Sequence, residues 1–104
     1  MNIIFNRQIA EDLKQRYTVL ELEPQYVEDS VLEAFCVLEA DKIPLTELPM
    51  LDHWIKLHNA FVQANKDKNG KLCNDLREHL VGKFGGELDE FYEIVCSRFA
   101  LEQE

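Results

Sequence analysis

His58, Cys73, Asp75 and His79 are the residues of this 104-residue chain best suited to chemistry. Asp75 and His79 stand four apart, so on a helix they share one face, beside a Leu72/Leu76 stripe. His58 lies mid-stripe on the preceding segment, between Trp54 and Phe61 on one side and Leu51 and Val62 on the other. Packed as a hairpin, the two segments would let His58, Cys73, Asp75 and His79 converge. Imidazole nitrogens beside a carboxylate make a mononuclear metal site or a His–Asp acid–base pair. No spacing rule imposes that register, and a single His on an apolar face is more often neutral and hydrogen-bonded to a neighbour. Other catalytic frames are lacking. Gly82-Lys83-Phe84-Gly85-Gly86 follows a helix rather than a strand and lacks phosphate-loop spacing, and there is no nucleophile elbow or pair of zinc ligands. The expectation is therefore a chain that is not an enzyme, with no catalytic residue, cofactor or metal. A metal or acid–base site at His58, Asp75 and His79 is the alternative.

The sharpest local pattern runs from Asn65 to Leu76, with oxygen side chains at Asn65, Asp67 and Asn69, Gly70 at the sixth position and Leu72 at the eighth. It resembles an EF-hand calcium loop, which implies calcium held by Asn65, Asp67, Asn69 and the Lys71 carbonyl. The departures weigh against it. Leu76 stands where a bidentate Glu belongs, Asn65 is neutral, and Lys66, Lys68 and Lys71 oppose Asp67 and Asp75. A hard dication needs anionic oxygens to offset its dehydration, so a helix–turn–helix with Gly70 supplying a positive φ is expected instead. Trp54-x-x-Leu57-x-x-x-Phe61 is similar to the first helix of a tetratricopeptide repeat. His58 replaces the small residue after the Leu, and a single copy has nothing to stack on.

The positioning elements follow from periodicity. Phe5, Ile9 and Leu13 recur every four residues and predict a short helix over 6–16. Thr18 to Glu23 alternates as a strand and stops at Pro24. Residues 30–38 read two ways: Ser30 and Glu33 match a helical capping box, whereas Val31, Phe35, Cys36 and Val37 suit a strand pairing back on 18–23. The hairpin is favoured. Pro49 opens a helix to Asn65 as its first residue, with Leu48, Leu51, Trp54, Ile55, Leu57, Phe61 and Val62 on a face about half the circumference wide. Leu72, Cys73, Leu76, Leu80 and Phe84 mark the next helix, over 71–84, ended by Gly85-Gly86. Leu88, Phe91, Tyr92, Val95 and Phe99 mark the last, from Glu87. The fold class is α+β, one domain over 1–104: an N-terminal helix, a β-hairpin and three antiparallel helices, with an all-α bundle as the alternative. A lone hairpin is marginal in water, so its strands lie on the helices, and its exposed edge offers a homodimer contact.

Composition narrows the class of function. Hydrophobic residues at 46% and charged residues at 30% fit neither a disordered nor a membrane chain. Three scattered cysteines, Cys36, Cys73 and Cys96, give no even disulfide framework, and Met1 to Ala10 lacks the plan of a signal peptide. With no apolar run near bilayer length, the expected location is cytoplasmic. The net charge is −9. Residues 17–47 hold eight acids against Lys42 alone, a local −7; residues 86–104 hold six against Arg98, a local −5; residues 53–85 hold six bases and three acids, a local +3. A +3 segment is a poor footprint for nucleic acid, so neither nucleic acid nor membrane is an expected partner. The acidic segments point to a basic protein partner, with Glu87, Glu90 and Glu93 as the docking surface.

The stretch Gly82-Lys83-Phe84-Gly85-Gly86-Glu87-Leu88-Asp89-Glu90-Phe91-Tyr92, with Leu57-His58 upstream, resembles a family of small uncharacterised proteins of tailed marine phages. The resemblance covers the C-terminal half and implies a virus-like origin without an activity or site. The expected function is that of a small, acidic interaction or regulatory protein. The metal or acid–base centre and the degenerate EF-hand are the alternatives.

Overall fold

The computed structural model describes residues 2–102. Its elements are β1 (Asn2–Ile4), α1 (Arg7–Leu13), β2 (Thr18–Glu21), β3 (Gln25–Val27), β4 (Ser30–Leu32), β5 (Phe35–Leu38), α2 (Leu51–Lys66), α3 (Gly70–Leu80) and α4 (Asp89–Glu102), with short 3-10 turns at Ala40–Lys42, Leu45–Met50 and Phe84–Gly86. The architecture is α+β, as the sequence predicts, and not an all-α bundle.

The hairpin forms, but as a bent, two-part device. β5 is the centre of a three-stranded antiparallel sheet, ordered β1-β5-β2. The four residues of β5 are all buried, as expected of a strand covered on both faces. Thr18 pairs with Leu38 and Glu21 with Phe35, whereas in the second, two-stranded sheet Gln25 pairs with Leu32 and Val27 with Ser30. The Leu22 N–H donates to the Ala34 carbonyl at 2.8 Å, so Glu23 and Pro24 together stand opposite Glu33. That extra residue is a β-bulge, placed where Pro24 has no N–H to give to the ladder. The bulge splits the predicted strand 30–38 into β4 and β5 and swings β3 and β4 away as an arm. Ser30 starts a strand rather than capping a helix.

Three further boundaries move. The first helix is shorter than predicted, capped by Asn6, whose side chain accepts the Ile9 N–H at 3.0 Å. Its one buried residue is Ala10, while Phe5 and Ile9 of the predicted stripe are each 50% exposed. Pro49 lies inside a 3-10 turn, and the α-helix starts at Leu51. The 71–84 helix ends at Leu80, and Gly82, with φ of 86°, takes the turn assigned to Gly85 and Gly86.

The core joins the sheet to the helices. Leu20, Leu22, Cys36 and Leu38 pack with Phe61, Leu80, Phe84, Leu88, Tyr92, Val95 and Phe99. At its centre the Phe61 and Tyr92 rings meet edge to face, 4.9 Å between centroids. Gly70 is buried at the start of α3, where an added Cβ would fall 2.9 Å from the Phe99 ring.

Candidate interaction surfaces

The alternative centre at His58, Asp75 and His79 does not assemble. His58 is fully buried in the core. Its Nε2 lies 2.7 Å from the Glu21 carbonyl and its Nδ1 lies 2.8 Å from the Tyr92 hydroxyl. A carbonyl can only accept, so Nε2 carries the proton and the Tyr92 O–H donates to Nδ1. Burial holds the imidazole neutral and pushes its pKa down to about 4, against a smaller opposing effect of the Glu21 carbonyl. Asp75 and His79 are exposed on α3, and no His, Cys, Asp or Glu cluster suited to a metal occurs among the described residues. Cys73 is buried and lies 3.9 Å from the Phe61 carbonyl. Burial pushes its thiol up to about 11 and that of Cys36 up to about 12, so both are poor nucleophiles at neutral pH.

Nor is the turn after α2 an EF-hand. It spans only residues 67–69, because α3 begins at Gly70. The Asn69 side chain caps α3 by accepting the Leu72 N–H at 3.1 Å, and Asp67 accepts from the Gln63 amide at 3.1 Å. Two of the oxygens the motif would aim at calcium, those of Asp67 and Asn69, thus serve as helix end bonds. The positive φ of this turn belongs to Lys68, at 58°, and not to Gly70.

Part of the acidic excess is answered locally. Glu21 meets Lys66 at 2.6 Å and Arg7 at 3.6 Å; Glu23 meets Arg98 at 2.6 Å; Arg7 Nε meets Glu33 at 2.7 Å. The Arg7 guanidinium holds the Glu33 carboxyl below the usual carboxylate range. Glu47 accepts the Phe84 N–H at 2.7 Å. Of the trio predicted to face a partner, Glu93 lies 3.3 Å from Arg77, Glu90 is exposed beside Phe91 and Ile94, and Glu87 lines a different hollow with Lys42.

The arm is different. All six of its strand residues are exposed. Tyr26 opposite Val31 covers one face, and Val27 with Leu32 lies on the other. Their exposures of 77%, 58%, 50% and 38% leave an apolar surface on both sides of a two-stranded ribbon. At its tip Glu28 and Asp29 pair with no cation among the described residues. Its root is clamped: Glu23 and Glu33 stand opposite each other at the bulge, held by Arg98 of α4 and Arg7 of α1. The sequence contains the ribbon's residues, but nothing in their alternation says that no other element covers them.

Comparison with known proteins finds no match among protein-family models, curated proteins or solved structures. Among the described residues, no helix is long and apolar enough to cross a membrane.

Proposed function

We propose that the chain is a small interaction protein that docks a basic partner protein through the β3–β4 arm. The observation that carries this reading is an apolar ribbon exposed on both faces and tipped by two unpaired carboxylates. A two-stranded hairpin is marginal in water, and an exposed Tyr is one of the side chains enriched among binding anchors. The fitting partner has an apolar cleft rimmed by Lys or Arg, which receives Tyr26 and Val31 and answers Glu28 and Asp29. Such charges speed association and lose force with salt. The reading assigns no catalytic step and needs no metal or cofactor. Three buried, unpaired thiols favour a reducing, cytoplasmic setting.

The test compares capture of host proteins by the wild type, by Tyr26→Ser/Val31→Ser and by Glu28→Gln/Asp29→Gln. The proposal expects a protein held by the wild type at low salt, lost by the first variant and weakened by the second. Capture that is equal across the three chains defeats it, as does failure of the wild type to retain any protein.

A further inference from the structure

The second edge of the main sheet carries an inference of its own. The Leu22–Ala34 hydrogen bond fixes the parity of the β2–β5 ladder. Thr18, Leu20 and Leu22 turn their backbone groups toward β5, and Val19 and Glu21 turn theirs outward. The Glu21 carbonyl confirms the direction, since it accepts from His58 on α2. What remains outward is the N–H and C=O of Val19 and the N–H of Glu21. These open on a cleft of about 620 Å³ between α1, β2 and α2. Val19, Phe35, Ile55 and Val62 give it an apolar lining, and Arg7, Lys14 and Lys66 surround it with Glu21 as the one carboxylate in its wall. In the wall itself the cations outnumber the acids, with Glu11 and Glu33 reaching Lys14 and Arg7 from outside it.

We infer that this cleft receives an extended acidic peptide segment of a partner protein, which adds to β2 as a further strand. Main-chain hydrogen bonds to Val19 and Glu21 supply the register, and the apolar wall takes alternate side chains. Carboxylates of the segment engage Lys14 and Lys66. Those cations are occupied now, Lys14 by Glu11 at 3.0 Å and Lys66 by Glu21 at 2.6 Å. Both pairs are part-exposed and weak, so one carboxylate can exchange for another at little cost. His58 consumes the Glu21 carbonyl and so sets the end of the added strand. The inference is independent of the arm, because it uses a different edge, different residues and the opposite charge.

The experiment uses the full chain and a fluorescein-labelled heptapeptide, Glu-Glu-Val-Thr-Val-Glu-Glu. Two companions replace its central Thr by Pro or its four Glu by Lys. The expectation is saturable binding of the acidic peptide below about 1 mM, weakened at least about tenfold by the Pro, which removes a ladder donor, and abolished by the Lys peptide. Lys14→Glu is expected to weaken binding about tenfold and Lys14→Arg to restore it. In amide NMR spectra the Val19 and Glu21 signals shift most. Equal binding of the Pro peptide, or shifts that leave Val19 unmoved, overturns strand addition. Absence of binding by any of the peptides at about 1 mM overturns the site.

Discussion

Lowering the pH from about 7 to about 5 carries the unfolded chain, but not the folded one, through the titration of His58. In the unfolded chain the imidazole has its ordinary pKa near 6.5; in the folded chain burial holds it down to about 4. Between these values the unfolded state binds the proton that the folded state refuses. Stability therefore falls as the pH falls. Integrated over the two titrations, the loss is about 2 kcal/mol by pH 5 and about 3 kcal/mol by pH 4. Burial is the main cause, and the neutral tautomer adds to it: Nε2–H already donates to the Glu21 carbonyl, and a second ring proton on Nδ1 would displace the hydrogen that Tyr92 donates there. The assay is urea unfolding at a series of pH values, on the wild type and on His58→Gln. Gln keeps a donor for Glu21 and does not titrate. It is expected to lose about 1–3 kcal/mol near pH 7, where the Tyr92 hydroxyl is left without its acceptor, and to show a shallower acid slope. The carboxylates titrate alike in both chains, so the difference between the two curves isolates the imidazole. Parallel curves for wild type and His58→Gln would refute the reasoning.

Three further outcomes follow from single positions. Gly85 has φ of 67°, and an added Cβ would lie 2.1 Å from the Lys42 carbonyl oxygen. Gly85→Ala is expected to cost on the order of 3 kcal/mol or more, read as a lowered urea midpoint. Gly70→Ala sets a helix-propensity gain of about 1 kcal/mol against overpacking on Phe99 of about 1–3 kcal/mol; thermal unfolding is expected to show net destabilisation. Glu28 has a positive φ of 52° at the arm's turn, so Glu28→Gly is expected to remove a strain of about 1 kcal/mol. The arm is an exposed element, so the gain is read as slower amide exchange in residues 25–32 rather than as a higher melting temperature.

Local periodicity was the legible part of this fold. The last helix could be read because Leu88, Tyr92, Val95 and Phe99 repeat on one face, and all four are buried. Where a residue's role depends on a distant partner, periodicity says nothing. Asn2–Ile4 is three residues of strand whose ladder partner is β5, more than thirty positions away. Phe5 and Ile9 repeat like a core stripe, yet α1 meets the sheet through Ala10, whose small side chain permits close approach. The same limit governed the candidate site. His58 was recognisable as an odd residue on an apolar face, but its partners are a carbonyl on β2 and a hydroxyl on α4, which no helical spacing encodes. Gly70 followed a loop motif in sequence and proves to be a packing residue, since only the Phe99 ring says why a side chain is excluded there.

Glu21 shows how the two proposed surfaces are tied to the core. Its carbonyl is fixed by His58, its carboxylate by Lys66 and Arg7, and its neighbour Leu22 makes the last ladder bond before the bulge. The carbonyl bond is neutral and shielded on its His58 side, so it carries most of the anchoring; the part-exposed ion pairs add about 1 kcal/mol or less apiece. The geometry thus rests on the bond that salt does not weaken, while the charges around it are free to exchange. A surface meant to trade one carboxylate for another needs that division. If the ion pairs alone held β2 in place, an incoming acid competing for Lys66 would loosen the edge it was meant to join. With His58 beneath, the strand end stays put while the side chains above it change partners.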